Sequence, residues 1–378
     1  MKSDRVRIGI LFNFSSQWMG GVIYVVNIIN TLDFLDDNEK PEIFLFYNPE
    51  LEKFLGELQY PYLHFIEWSF PSILKGNIVS LIKQKNVFID DLIRRYELHS
   101  LFPMHDFPIR SRTNVRLIAW WADLQEKYYP EFFTPLQRFS RALRARLILK
   151  NCESLVLSSN SVLDDFRKFY RIRKEMRISI FHFVSVIGSG AGQSIEALKQ
   201  KYGLPDEYFM VSNQFHMHKN HRVLLMALSK LKADGVRKHI AFTGKLPAAR
   251  NSPYLNELHS IMNDNKLHDQ VTMLGLIPRS DQLVMMRHSQ AVIQPSLFEG
   301  WSTVIEDAKS LQVPVVASNL KVNIEQLGER ALYFDPHDPD ELAKILKDYP
   351  ARNLNDMFYD SYELRIKRAA NQLLEILS

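Results

Sequence analysis

Short apolar runs alternate with amphipathic segments of helical length along most of this chain, and that alternation restricts the fold more than any other feature. It is clearest in the second half. There the sequence predicts strands at 208–212, 238–243, 271–274, 291–294 and 313–318, separated by helices at 222–234, 253–263, 280–288, 304–311 and 339–349. Strands that alternate with helices favour parallel sheets covered by helices on both faces.

The first half carries the same alternation less regularly. It predicts strands at 6–12, 43–47, 62–66, 98–102 and 115–121, and helices at 22–32, 78–82, 88–96 and 136–149. A chain of 378 residues is too long for one ordinary core. We therefore expect an α/β protein with two doubly wound, Rossmann-like domains.

The predicted domains span 1–190 and 204–355. Between them, the glycine-rich stretch within 188–203 suits a mobile connection better than a packed element. In the last segment, 356–378, a helix at 360–376 is a candidate to cross back to the first domain. Ligands of open α/β sheets bind outside the carboxyl ends of the strands, so the loops after strands are the places to search for function.

Composition narrows the class of protein. The chain is 46% hydrophobic and 24% charged, which is typical of soluble globular proteins. It has no apolar run long enough for a membrane span and no signal-peptide pattern at its start. The single cysteine, Cys152, excludes an internal disulfide framework. A net charge of +4 does not indicate nucleic-acid binding, and we expect a cytoplasmic protein.

The charge is concentrated in residues 134–182, where eleven Lys/Arg stand against four Asp/Glu. Such a region suits an anionic lipid surface or a phosphate-bearing acceptor, which would place the protein at the inner face of a membrane. A solvated helix face explains the same charges equally well. Both interpretations stay open.

The loop that begins at Ser296 carries the strongest functional signal. Gly300 permits a close backbone approach, and Ser302 and Thr303 suit the start of the following helix. A helix start favours a phosphate because its N–H groups are unpaired and its dipole is positive there. The flanking acids, Glu299 and the pair Glu306 and Asp307, would repel a phosphate and instead suit sugar hydroxyls.

Residues 271–318 resemble the carboxyl-terminal signature of the retaining family-four glycosyltransferases (glycosyl transferases group 1), which have the GT-B fold. Glu299, Gly300 and Trp301 are followed by Asp307 eight positions after the first acid, and a Val-Pro-Val strand follows from 313. The resemblance implies two facing domains with an interdomain cleft. It also implies that Glu299 contacts the donor sugar and that the second acid holds the ribose. Position favours Asp307 for that role, although Glu306 remains an alternative.

A second loop, 211–221, resembles the diphosphate loop of the same family. Lys219 matches the family's lysine, Gln214 replaces its arginine, and Asn213 precedes them. Lys245, after the next strand, is a candidate to supply the missing charge, or else is a solvated lysine. Three histidines at 216, 218 and 221 do not complete a metal site because no acid or cysteine joins them, and we expect a pair of them to add positive charge near a phosphate.

In the first domain, Gly20 and Gly21 resemble the family's glycine loop near the donor phosphate and the acceptor. Ala122 stands where many relatives carry a histidine, so that residue's role cannot be transferred. Asp123, Glu126 and His105 remain as polar candidates for the acceptor side. Trp120 and Trp121 are either core residues or a sugar-stacking platform.

The resemblance implies transfer of a hexose from a nucleoside-diphosphate sugar to a hydroxyl, with retention. The expected acceptor is a glycan or lipid-linked glycan of surface polysaccharide or lipopolysaccharide assembly. Lys219 and Glu299 are the expected catalytic residues, with no metal and no cofactor beyond the sugar nucleotide. A nucleotide-sugar epimerase, a glycogen-type phosphorylase or synthase, and an inactive scaffold are the alternatives.

Overall fold

The structure is a computed structural model, and it describes residues 5–15, 18–105, 109–188, 193–247 and 252–378. The chain divides into two compact units. Unit 1 comprises Met1–Val186 together with Glu363–Ser378, and unit 2 comprises Ile187–Tyr362.

The described residues of unit 1 form a seven-stranded parallel sheet in the order β3-β2-β1-β4-β5-β6-β7. Its strands are β1 (Arg7–Phe12), β2 (Glu42–Tyr47), β3 (Leu63–Glu67), β4 (Ser100–Met104), β5 (Arg116–Trp121), β6 (Ser154–Leu157) and β7 (Arg177–Ile180). Its helices are α1 (Met19–Leu32), α2 (Ile73–Lys83), α3 (Asp90–Tyr96), α4 (Pro135–Asn151), α5 (Asn160–Phe169) and α13 (Tyr362–Leu377). Short 3-10 helices lie at Asp37–Glu39, Pro49–Glu57, Gln125–Lys127 and Pro130–Phe132.

Unit 2 repeats the architecture with six parallel strands among its described residues, in the order β10-β9-β8-β11-β12-β13. They are β8 (Phe209–Ser212), β9 (Ile240–Thr243), β10 (Val271–Gly275), β11 (Val292–Gln294), β12 (Val315–Ser318) and β13 (Leu332–Phe334). The helices are α6 (Ile195–Tyr202), α7 (His221–Ala233), α8 (Pro253–Asp264), α9 (Arg279–His288), α10 (Thr303–Ser310), α11 (Lys321–Leu327) and α12 (Pro339–Lys347). Met217–Lys219 and Leu267–Asp269 are 3-10 helices.

Each sheet of this kind has a core on both faces. In unit 2, one core lies under α7, α8 and α12, and a second lies under α6, α9 and α10. The strands are apolar at nearly every position because both faces are covered, as in β12, whose four residues are all buried. The doubly wound α/β fold predicted from the alternation is therefore confirmed.

Helix α13 follows unit 2 in sequence but packs in unit 1. Ile366, Leu373 and Leu377 on this helix are fully buried. Its end is held by Ser100, whose Oγ donates to the carbonyl oxygen of Leu377 at 2.5 Å, and by Arg116, which donates to that of Ile376 at 3.3 Å. The last helix thus returns to the first unit.

The junction predicted at 188–203 contains a packed helix in its second half, after the glycine-rich stretch that suits a mobile connection. Residues 195–202 form helix α6, which begins at Ser194, whose hydroxyl accepts from the amide of Ala197 at 3.3 Å. Leu198 is fully buried, and Gly203 ends the helix at φ +64°. A capped start, one buried leucine and a glycine stop are enough to make this stretch a packed element. Positions 189–192 lie outside the described residues.

Candidate functional site

The strand order of unit 2 reverses between β8 and β11. The chain runs outward from β8 to β10 in one direction and from β11 to β13 in the other. Loops diverge at such a switch point and leave a crevice at the carboxyl ends of the two strands, where open α/β sheets bind ligands. The two loops singled out in the sequence are the ones that follow β8 and β11.

An ion pair joins these two loops. The Nζ of Lys219, after β8, lies 2.6 Å from Oε1 of Glu299, after β11. The lysine side chain is 19% exposed and the glutamate side chain 9% exposed, so the pair is largely shielded from bulk water. The predicted cation and the predicted first acid are therefore in direct contact.

A single oxygen of Glu299, Oε1, accepts the hydrogen bonds that the described residues donate to this carboxylate. Besides Lys219, the Nε2 of Gln294 donates to Oε1 at 2.7 Å and the hydroxyl of Ser296 donates at 2.6 Å. The second oxygen, Oε2, receives no hydrogen bond from the described part of the chain. Burial pushes the pKa of Glu299 upward, but the Lys219 charge and these donors outweigh it and hold the pKa below its usual value. The carboxylate is ionised, and the described residues engage only one of its two oxygens.

Further hydrogen bonds fix the crevice. Asn213 donates from Nδ2 to Oε1 of Gln294 at 3.0 Å, which orients the amide that reaches Glu299. Asn220, at φ +55°, donates to the carbonyl oxygens of Pro295 and Pro336 at 3.1 and 2.8 Å. The amide of Leu297 donates to the carbonyl of His218 at 2.7 Å. The loops after β8, β11 and β13 are thus tied together at one edge of the sheet.

Helix α10 starts beside this pair. Its N-cap is Ser302, whose hydroxyl accepts from the amide of Ile305 at 3.3 Å, and Thr303 is the first helical residue. Gly300 is buried and Trp301 is half-buried immediately before it. A second clamp comes from Gln326, which accepts from the amide of Ser302 at 3.1 Å and donates to its carbonyl at 2.9 Å. The helix start is rigidly placed next to Glu299.

The two adjacent acids of α10 have different surroundings. Glu306 is 1% exposed and accepts from Gln326 at 2.8 Å and from Lys309 at 2.9 Å, so it ties α10 to α11. Asp307 is equally buried, but it is held by a bidentate pair with Arg279, including an Nη1 to Oδ2 distance of 2.7 Å. The Arg279 side chain is 46% exposed, so this pair reaches the surface.

The backbone of the loop after β8 explains why a glycine is needed at position 244. Gly244, after β9, has φ +150°, and an added Cβ would lie 2.0 Å from the carbonyl oxygen of Asn213. Only glycine fits where these two loops cross. Lys245 follows, is exposed, and lies near enough to His216 to lower that histidine's pKa, although burial lowers it more. Gln214 also contacts His216, with its Oε1 3.0 Å from His216 Nε2.

The expectation that the histidines add positive charge is wrong. Burial, helped by the nearby Lys219 charge, lowers the pKa of His218 to about 4 and that of His221 to about 3. His221 stacks on Phe215 with ring centroids 4.4 Å apart. All three imidazoles are thus disposed to be neutral near pH 7. Among the described residues, no group of three or more His, Cys, Asp or Glu side chains is arranged to hold a metal ion.

In unit 1 the strand order reverses between β1 and β4, and Gly20, Gly21 and His105 follow these two strands. Gly20 and Gly21 lie in the first turn of α1. A Cβ at Gly21 would lie 2.6 Å from the ring of Trp18, so this glycine is also needed for packing. Trp18 in turn stacks on Trp120 with centroids 5.7 Å apart.

Trp120 and Trp121 are core residues, 3% and 1% exposed. His105 is half-buried against this cluster, 5.4 Å from Trp18 and 5.5 Å from Trp121 between ring centroids. Its neighbour in sequence, Asp106, lies outside the described residues.

The other two acceptor-side candidates lie just after β5. Glu126 is 3% exposed, and its Oε2 accepts from Nε of Arg141 at 2.8 Å, so it anchors α4. Asp123 is more accessible, with 30% of its side chain exposed, and its Oδ1 accepts from the amide of Gln125 at 3.0 Å. The structure brings Asp123, Glu126 and Arg141 together, whereas their contact with a ligand stays a prediction.

Sequence reasoning missed three residues of the unit 2 site. Gln294 and Gln326 orient Glu299 and the start of α10, and Arg279 pairs with Asp307. Arg279 carried a signal, because it follows β10 at the same edge of the sheet. The glutamines carried none, since an amide in a strand or helix indicates nothing by itself.

Comparisons with solved structures identify the fold. Two Rossmann-like units with parallel sheets define the GT-B fold. The sucrose-phosphate synthase of Thermosynechococcus elongatus matches with a TM-score of 0.64 and 15% identity, over 99% of this chain and 95% of that one. The Anabaena protein HepE in complex with UDP and glucose matches with a TM-score of 0.63 and 16% identity, over 99% and 95%. The chain has the GT-B fold.

Within that fold, residues 194–357 match the family model described as glycosyl transferases group 1, which supports the family that the motifs indicate. The O-antigen chain mannosyltransferase RfbU of Salmonella typhimurium is 24% identical over 225 residues, 60% of this chain and 58% of the relative. The chain therefore spans less than two thirds of that relative's length. In the described part of the chain, no helix is both long enough and apolar enough to cross a membrane.

Proposed function

We propose that this protein is a glycosyltransferase that moves a hexose from a nucleoside-diphosphate sugar to a hydroxyl of a glycan or lipid-linked glycan. The observation that carries the proposal is the Lys219–Glu299 pair across the switch point of unit 2. A cation and a carboxylate beside the start of α10 support binding of a sugar diphosphate at this place. The match to the group 1 family model and the resemblance of the chain to a mannosyltransferase support the same function.

In this proposal the two oxygens of Glu299 have separate tasks. Oε1 stays on Gln294 and Ser296, while Oε2 accepts a hydroxyl of the donor sugar. The diphosphate then competes with Glu299 for the Lys219 ammonium. Charge grows on the diphosphate as the sugar leaves, so Lys219 and the amides at the start of α10 stabilise the transition state more than the bound donor.

Asp307 holds the ribose hydroxyls and Glu306 has a structural task. The partners of the two acids support this assignment, because Glu306 is enclosed by Gln326 and Lys309, whereas Asp307 pairs with Arg279, whose side chain reaches the surface. Exposed Lys245 is the second cation for the diphosphate, in the place of the arginine that Gln214 replaces. We further propose that transfer retains the anomeric configuration, as the resemblance implies, and that it needs no metal.

Nucleoside-diphosphate binding is the first test. Calorimetry with UDP and GDP should show binding of one of them to the whole chain. Lys219→Ala should weaken that binding at least about tenfold, since it removes a charge-assisted contact with the diphosphate. Lys230→Ala is the matched control, because Lys230 also pairs with a carboxylate, Asp340, but on the exposed side of α7.

The products then separate the candidate activities. Incubation with the nucleotide sugar and a lipid-linked glycan should release the nucleoside diphosphate and extend the acceptor, and proton NMR of the new linkage reports retention or inversion. Change of the sugar without transfer would instead identify an epimerase. Binding of the nucleoside diphosphate without turnover of any sugar donor would favour the inactive scaffold.

We also propose that the basic region 134–182 contacts an anionic membrane, which would bring the enzyme to a lipid-linked acceptor. In the structure this region forms α4, β6, α5 and β7. Arg138, Arg146 and Lys150 of α4 are exposed, as such a contact requires.

A further inference from the structure

Helix α2 packs on unit 1 through its smallest residues. Gly76 and Ser80 are buried, and a Cβ at Gly76 would lie 2.1 Å from the ring of Phe88. The hydroxyl of Ser80 accepts from the amide of Val87 at 3.2 Å. Because the backbone itself lies on Phe88, the rotation of the helix about its axis is fixed by these contacts.

The opposite side of α2 is apolar and exposed. Five large side chains lie there, at positions whose spacing places most of them on one stripe of a helix. Their exposed fractions are 47% for Ile73, 75% for Leu74, 49% for Ile78, 71% for Leu81 and 77% for Ile82. Such an arrangement reverses the usual order, in which a helix buries its large apolar residues, and exposed apolar patches of this kind mark interaction surfaces.

Helix α4 shows the same feature on the same face of the sheet. Leu136, Phe139 and Leu143 are 76%, 63% and 44% exposed, at the spacing of one helical stripe. The buried side of α4, including Ile148, shares a core cluster with Phe88, on which α2 rests. Both apolar stripes therefore belong to one side of unit 1.

The charged residues within the two segments that carry these stripes are all basic. Segments 68–89 and 134–151 contain eight Lys/Arg and no Asp or Glu. Lys75 and Lys83 on α2 are exposed, while Lys85 lies 3.4 Å from Asp91 of α3. Apolar side chains flanked by lysine and arginine are the pattern of helices that lie in the interface of an anionic bilayer.

We propose that the stripe Ile73, Leu74, Ile78, Leu81 and Ile82 of α2 inserts into the headgroup region of an anionic lipid bilayer, and that the exposed apolar residues of α4, on the same side of unit 1, contact the same bilayer. This inference rests on the membrane contact proposed for the basic region and not on the transfer reaction. It adds an apolar anchor, outside that region, to a contact that charge alone would leave weak and salt-sensitive.

Flotation with lipid vesicles tests the anchor. The whole chain should float with vesicles of phosphatidylcholine mixed with phosphatidylglycerol and should remain bound when salt is raised. The triple variant Leu74→Ser, Leu81→Ser, Ile82→Ser should bind at least about tenfold more weakly, since three large apolar groups no longer leave water.

The matched control changes three exposed apolar residues of unit 2 instead, Leu332→Ser, Leu354→Ser and Met357→Ser, and should bind as the unchanged chain does. Circular dichroism and thermal unfolding check that both variants are folded. As a second measurement, Leu81→Trp fluorescence should be quenched by brominated lipid.

The outcomes separate the two membrane proposals. If Arg138→Gln, Arg146→Gln, Lys150→Gln loses binding while the α2 variant binds fully, the basic contact stands and the α2 anchor is wrong. If the unchanged chain does not float at all, both are wrong. If light scattering finds a dimer that the α2 variant dissociates, without vesicle binding, the stripe is a self-association surface and the lipid proposal is overturned.

Discussion

Replacing Lys219 by alanine should cost more than the loss of one surface ion pair. The side chain of Glu299 is 9% exposed, and its Oε1 accepts hydrogen bonds from the Lys219 ammonium, Gln294 and Ser296. Removing one partner of a fully buried pair costs about 3–5 kcal/mol, because the other charge is left behind. Here two neutral donors remain, and the open Oε2 can be hydrated. We therefore expect Lys219→Ala to destabilise unit 2 by about 2–3 kcal/mol at pH 7.

Glu299→Gln should cost less, about 1–2 kcal/mol, because the lysine left behind is 19% exposed and can reach water. The double variant should then be more stable than the sum of the two changes predicts, with a coupling energy of about 1–2 kcal/mol. Hydrogen exchange of amides in β8 and β11 is the suitable assay, because it reports local unfolding of unit 2 without requiring the whole chain to unfold in one step.

The stabilisation by the Lys219–Glu299 pair should depend on pH in a defined direction. Glu299 has a folded pKa below its unfolded value, so the pair's contribution is fully present above the unfolded pKa, about 4.3, and is lost as pH falls through the folded pKa. The difference between the chain and Lys219→Ala should therefore shrink below that pH. A coupling energy near zero, or a difference that stays constant down to pH 3, would refute the reasoning.

Three further outcomes follow from the same site. Asp307→Asn should weaken nucleoside-diphosphate binding about tenfold and leave inorganic diphosphate binding unchanged by calorimetry, whereas Glu306→Gln should lower the Tm without changing either affinity. Gly244→Ala should destabilise unit 2 by more than about 3 kcal/mol in urea unfolding, against about 1 kcal/mol for Gly235→Ala, which has φ +74° and open space around it. His218 should titrate near pH 4 by NMR; since its folded pKa lies below 6.5, stability should fall as pH drops from 6.5 toward 4, and His218→Gln should flatten that loss. A His218 pKa near 6.5 would contradict the last expectation. Equal nucleotide affinities for Asp307→Asn and Glu306→Gln, or equal losses of stability for Gly244→Ala and Gly235→Ala, would contradict the other two.

The alternation of apolar runs was enough to predict the doubly wound fold because a strand buried on both faces is recognisable from its own short apolar sequence. Residues 313–318 predicted a strand, and Val315–Ser318 form one. Residues 136–149 predicted a helix, and Pro135–Asn151 form one. Elements with weak local signals were not predicted, as for β13, in which two of three residues are partly exposed, and α5, which lies inside the basic region.

The candidate site likewise has a part that the sequence predicts and a part that it does not. Glu299, Asp307 and Lys219 were predicted because each stands in a motif with fixed spacing. Their contacts could not be predicted, since Lys219 and Glu299 are eighty residues apart and meet only through the strand order. The neutral histidines were missed for a physical reason. A cluster of imidazoles in a sequence says nothing about burial, and burial sets the pKa of His218 and His221.

The return of α13 to unit 1 has a consequence for synthesis. A ribosome makes β1 to β7 first and unit 2 next, and only then the residues that place Leu373 and Leu377 in the core of unit 1. The first unit to emerge is thus the last to be completed, and it must wait with part of its core exposed. Loss of α13 should harm the unit farther away in sequence, and chaperone demand during translation should concentrate there.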